Sequence, residues 1–179
     1  MIACDADTGD RKWVVDVGKP VFAGICASLL GTIFVGTVGA VLWALGRDGA
    51  VLWTYSAGAP IFSTPVCHPS GILVFGTHAK SVVALSASSG ELLWTFSTSA
   101  QVYASVTILD DRNVVVVSTD ARVSLLSLVD GKPFEEFTAC QAEMYSSPVP
   151  LDETAMVLAG RDDRLRLVRR GEGTGRQSS

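Results

Sequence analysis

The chain reads as an all-β protein, a β-propeller of four-stranded antiparallel blades, and three observations predict it. A glycine turn between two apolar runs recurs with a near-constant period, since Gly9, Gly49, Gly90 and Gly131 stand 40, 41 and 41 residues apart. Each period divides into four short runs rich in Val, Ile, Leu and aromatic residues and bounded by turn-formers, which is the strand spacing of all-β folds. Four strands in about 40 residues is the period of a propeller blade. The expected architecture is about four blades forming an arc of a larger ring.

In order along the chain, residues 1–20 hold the end strands of a preceding blade. Blades follow at 21–60, 61–101 and 102–143, the last of these with a degenerate motif, and a partial last blade occupies 144–169. The first run of each unit opens on an aromatic residue: Phe22, Phe62, Tyr103 and Tyr145. The second run is TIFVGT, ILVFGT, VVVVST or AMVLAG, and the third is VLWAL, VVAL, VSLL or LRLV. A tryptophan strand, KWVVDV, VLWTYS or LLWTFS, completes the unit and is worn down to PFEEFT in one copy. Between third and fourth runs sit Asp7-Thr8-Gly9, Asp48-Gly49, Ser89-Gly90 and Asp130-Gly131, where glycine supplies the positive φ of a tight hairpin. Residues 170–179 offer almost nothing apolar to bury and are expected to be a disordered tail. Strands from the two chain ends could share one blade, with Lys12 to Val17 completing the unit begun at Met144, but an arc or edge pairing in a dimer is the favoured reading.

Composition bounds the chemistry. A hydrophobic content of 48% and mean hydropathy of +0.36 suit strands buried on both faces. The net charge of −4 and the lack of a basic stripe interleaved with aromatics speak against a nucleic-acid partner. Six of the fourteen basic residues lie between Arg161 and Arg176; they read as a solvated strand face and tail, with an anion-binding or docking edge as the alternative. Cys4, Cys26, Cys67 and Cys140 form no C-x-x-C pair, so no metal or redox motif is written, and free, inert thiols are expected. Asp5, Asp7 and Asp10 are unlike a leader peptide, and the expected location is cytoplasmic. Val21 to Gly46 contains no charged residue over 26 positions, long enough for a membrane helix. Its Gly, Val, Thr and Ile content and its place in the repeat favour strands instead, with no membrane partner.

The stretch from Ala3 to Trp13 resembles the A-x-D-x-x-T-G-x-x-x-W signature of the pyrrolo-quinoline-quinone-type, or tryptophan-docking, propeller repeats. Its repeat-motif positions are Ala3, Asp5, Gly9 and Trp13; Ala44, Gly49 and Trp53; Ala84, Gly90 and Trp94; and Gly131. In the fourth copy Leu125, Ser127 and Glu135 replace the alanine, aspartate and tryptophan. The resemblance implies that each indole packs between neighbouring blades, a structural role. The segment MYSSPVPLDETAMVLAGRDDRLRLV is further similar to the end of the beta-alanine-activating enzyme of the acyl-CoA synthetase family. That likeness implies an accessory module for an amino-acid- or fatty-acid-activating enzyme, with protein partners or the upstream domains of the same polypeptide.

No catalytic set is legible, and no cofactor or metal is expected. A quinone-dependent dehydrogenase of the resembled class implies an acidic base, an asparagine among calcium ligands and vicinal cysteines, whereas the chain has separated cysteines and the single asparagine Asn113. No phosphate loop with its lysine and no G-x-S-x-G elbow occurs. His68 and His78 are expected at turns, solvent-exposed or bonded to backbone, Asp110-Asp111 and Asp162-Asp163 as turn acids, and Trp43 is the aromatic to watch for an exposed binding role. The functional expectation is a non-catalytic interaction module; the alternatives are a quinone-dependent dehydrogenase fragment and an assembly scaffold of the bacterial envelope.

Overall fold

The computed structural model describes residues 1–152 and 154–169. It contains seventeen strands: β1 (Ile2–Cys4), β2 (Arg11–Val14), β3 (Ile25–Ala27), β4 (Ile33–Gly36), β5 (Val41–Leu45), β6 (Val51–Ser56), β7 (Val66–Cys67), β8 (Ile72–Thr77), β9 (Ser81–Ser86), β10 (Leu92–Ser97), β11 (Thr107–Ile108), β12 (Asn113–Val117), β13 (Arg122–Ser127), β14 (Pro133–Thr138), β15 (Val149–Asp152), β16 (Ala155–Ala159) and β17 (Leu165–Arg169). They form five antiparallel sheets in series, β1-β2, β3 to β6, β7 to β10, β11 to β14 and β15 to β17, each joined to neighbours in chain order. The apolar stretch 21–46 is thus three strands and their turns, and no helix among the described residues is long and apolar enough to cross a membrane. β2 pairs with β1 and β17 with β16, so Lys12 to Val17 does not complete the last sheet. The expectation of a disordered tail over 170–179 lies outside the described residues.

The core lies between the sheets, which explains why the inner strands do not alternate. Successive side chains of a strand point to opposite faces, and here both faces of the middle blades are covered. Phe34, Leu42 and Ala44 of one sheet meet Leu73, Phe75, Val83 and Leu85 of the next. On its other face that next sheet presents Val74, Val82, Ala84 and Trp94 to Val114, Val116, Leu126 and Leu128. Val115, Val117, Val123 and Leu125 then meet Met156 and Leu158. Odd and even residues of a single strand therefore belong to different cores.

The first strand of each unit begins three or four residues after its aromatic residue and runs for only two to four residues. The preceding residues pack as plugs instead: Ile61, Val102 and Met144 are fully buried. Ile61 fills the space beside Gly36, and Val102 fills the space beside Gly76. In place of a sheet ladder, their backbone N–H groups bond to carbonyls at the end of a second strand, as Val102 N–H does to Thr77 O (3.3 Å) and Met144 N–H to Thr119 O (3.1 Å).

Candidate interaction surface

The repeat-motif residues converge on one contact, made three times. Ala3, Ala44 and Ala84 stand directly across the ladder from Trp13, Trp53 and Trp94, and their small side chains leave the indole free to lean toward the next sheet. The Nε1–H of Trp13 donates to Arg47 O (2.8 Å), that of Trp53 to Ala87 O (3.3 Å) and that of Trp94 to Leu128 O (2.9 Å). Under the rings lie Gly49, Gly90 and Gly131, all at positive φ, where a Cβ would come within 2.8, 2.7 and 2.5 Å of indole carbons. Glycine is required there twice over, by the left-handed backbone and by the ring above it. Asp5 sets the equivalent turn of the first unit, at Gly9, which no indole covers among the described residues, accepting the N–H groups of Asp7 and Thr8 (3.0 and 3.2 Å). Lys12 at 2.8 Å, with those bonds, holds its carboxyl below the usual carboxylate range. The Gly9 N–H donates to Asp5 O, and Gly90 and Gly131 repeat that bond to Ser86 O and Ser127 O. In the fourth copy Leu125 faces Glu135, and Glu135 is exposed.

Antiparallel hairpins put these docking turns at one end of the blades and the aromatic residues at the other. There the four aromatics stack into a continuous rail along the four sheets that follow β1-β2. Ring centroids lie 5.8 Å apart for Phe22 and Phe62, 5.2 Å for Phe62 and Tyr103, and 5.1 Å for Tyr103 and Tyr145. His78 sits between Phe62 and Tyr103, with its ring 4.4 and 4.3 Å from theirs. Arg161, at the matching position of the last unit, caps Tyr145 from 5.5 Å and pairs with Glu143 at 3.1 Å. Phe22 remains 71% exposed and Tyr145 41%. Alongside the rail, hydroxyls stitch blade to blade: Gly24 N–H donates to Thr64 Oγ1 (2.9 Å), Thr64 N–H to Ser105 Oγ (3.1 Å) and Ser105 N–H to Ser147 Oγ (2.9 Å).

The sequence reading found the rail's aromatics as a period but took them for strand openings. It did not identify the roles of Thr64, Ser105, Ser147, His78 or Arg161. The first three carried a signal, a hydroxyl two residues after each aromatic. His78, expected to be exposed or bonded to backbone, is instead packed edge and face by rings, and its buried Nε2 has no hydrogen-bond partner among the described residues. Desolvation lowers its pKa. The unfolded chain then takes up a proton near pH 6.5 that the folded one still refuses, so stability falls as pH drops below that value. We expect the thermal midpoint to fall between pH 7.5 and 5.5 by more in the native chain than in His78→Leu; an equal fall in both would refute the assignment.

Other candidates do not assemble. Ser70 Oγ lies 2.8 Å from His68 Nδ1, and Asp111 is 3.9 Å from His68 Nε2, a superficially catalytic trio. Yet Ser70 N–H also donates to the same Nδ1 (3.1 Å), and Asp111 is fully exposed, so the imidazole caps its own turn. Beside it a cleft of about 380 Å³ runs under the exposed Leu29 and Leu30. Trp43 is half-buried rather than exposed. Asp162 pairs with Arg166 and Asp110 with Asn113 (2.7 Å). Among the described residues no three His, Cys, Asp or Glu side chains group as a metal site.

Residues 1–69 and 66–134 each match the family described as outer membrane protein assembly factor BamB. The chain belongs to that family. In fold it is similar to BamB from Moraxella catarrhalis (TM-score 0.85, 18% identity), with 97% of this chain covering 62% of that one. The computationally designed Ika4 protein also aligns (TM-score 0.78, 14% identity, 89% of this chain and 96% of that one). So does the designed Ika8 protein (TM-score 0.81, 13% identity, 93% and 51%). No curated protein matches the chain in sequence.

BamB-family membership corrects two expectations. Kinship with the acyl-CoA synthetase family and the beta-alanine-activating enzyme is overturned; the segment quoted for it is β15 to β17 with their turns, a blade of the general repeat type. The expected cytoplasmic location is overturned too, with the upstream-domain partners of that enzyme family and the absence of a membrane link, because the BamB family is described by outer membrane assembly. The N-terminal acids used against a leader are turn residues of a blade, Asp5 among them, and their charge reports turn geometry rather than destination.

Proposed function

We propose that this β-propeller module is a scaffold in outer membrane protein assembly, and that it holds its protein partner on the face bearing the aromatic rail. Family membership over residues 1–69 and 66–134 carries the reading. The rail supports its location, since exposed aromatics are rigid anchors that bury large area at low entropic cost. Phe22 and Tyr145 are the two ends most open to a partner.

The test uses the full chain in its own cells. Deleting it should lower the amounts of outer membrane β-barrel proteins. Phe22→Ser with Tyr145→Ser should keep the native circular dichroism spectrum and weaken co-purification with identified assembly components about tenfold or more. Normal barrel levels in the deletion strain would overturn the scaffold reading. Wild-type binding by the double variant would overturn the placement on the rail.

A further inference from the structure

Neighbouring blades bring two cysteines face to face. Cys26 on β3 stands four residues after Phe22 and Cys67 on β7 five residues after Phe62, so they are one position apart in successive first strands and leave opposite faces of their sheets, and those two strands contact each other. Cys26 stands across the ladder from Phe34, and Cys67 from Leu73. Phe34 and Leu73 belong to the same inter-blade core, and both thiols pack against it. One cysteine therefore looks forward from its sheet, and the other looks back into the same gap. The bond from Gly24 N–H to Thr64 Oγ1 at 2.9 Å clamps the two segments just upstream of β3 and β7.

We propose that Cys26 and Cys67 close into a disulfide joining the two blades when the folded chain meets a disulfide-bearing oxidant. Cys4 on β1 and Cys140 beyond β14 lie elsewhere in the series of sheets, and Ile108 and Pro150 take the place of Cys67 in the later units. The pairing rests on this geometry and not on the scaffold reading; the compartment decides only whether an oxidant is encountered. The electrostatics agree with close approach. Burial, and then the Cys26 charge, push the Cys67 thiol up to about 11, and a backbone hydrogen bond from Cys67 partly offsets the upward shift that burial gives Cys26.

The chemistry balances without a metal. The Cys26 thiolate attacks one sulfur of a small disulfide, expelling one thiolate and leaving a mixed disulfide. The Cys67 thiolate then attacks the Cys26 sulfur and expels the second. The protein gives up two protons and two electrons, and the oxidant becomes two thiols. Because only thiolates attack and both thiols are held above their usual range, closure should be slow near neutrality and faster at about pH 9.

The full chain carrying Cys4→Ser and Cys140→Ser, incubated with oxidised glutathione, should lose both titratable thiols and two hydrogens of intact mass. A non-reducing digest should contain the peptide linking Cys26 to Cys67, and dithiothreitol should reverse all three changes. Adding Cys26→Ser or Cys67→Ser, in variants that retain the native circular dichroism spectrum, should stop the reaction at one thiol or one glutathione adduct. Two stable glutathione adducts on the folded double-serine chain, or two thiols that stay free at about pH 9, would overturn the pairing.

Discussion

Replacing Trp94 by alanine should lower the free energy of unfolding by about 3–5 kcal/mol, the range for deleting a buried aromatic. Trp94 is the most deeply placed of the three docking indoles, at 8% exposure, while Trp13 and Trp53 are half-buried. Its loss removes the bond to Leu128 O, uncovers Gly131 and empties a corner of the core shared by the second and third full blades. Trp94→Phe should recover part of the loss by filling the space without the donor. Chemical denaturation of the three alanine variants measures the order directly, and a Trp94→Ala effect no larger than that of Trp13→Ala would contradict this account.

The second large effect is expected at Gly76. Its position on β8 faces the next blade, and a Cβ there would press well inside contact distance of Val102. Val102 is fully buried and tethered to Thr77 O, so it has little room to yield. Gly76→Val should destabilise by about 3 kcal/mol, the upper end of overpacking penalties. Shrinking the plug with Val102→Ala should itself cost stability, yet partly rescue Gly76→Ala. Simple addition of the two costs in that double variant would show that steric fit is not the cause.

How much of this was legible in the sequence follows from which forces are local. Strand count, hairpin turns and the glycine–tryptophan period were readable, because turn chemistry and apolar runs are written in contiguous residues. Contacts between blades were less so. Nothing in ILVFGT marks Gly76 as a socket for Val102, since the two meet only after the sheets stack. The first run, which opens on an aromatic residue, misleads for the same reason: apolar character at Ile61 and Val102 serves an inter-blade plug, not a ladder. His78 looked like a turn histidine because its rings come from two other segments. Location was misread from acids that a hairpin needs for its own bonds.

The row from Gly24 through Thr64 and Ser105 to Ser147 runs in one sense: the backbone N–H of one blade donates to the side-chain hydroxyl of the blade that follows. The two middle units, at Thr64 and Ser105, thus have a donor flank and an acceptor flank, like beads that thread in a single direction. Such head-to-tail complementarity propagates by adding units. A tandem copy of residues 61–101 spliced in register would find both of its flanks already matched, whereas a blade inserted in the opposite orientation would set amide against amide.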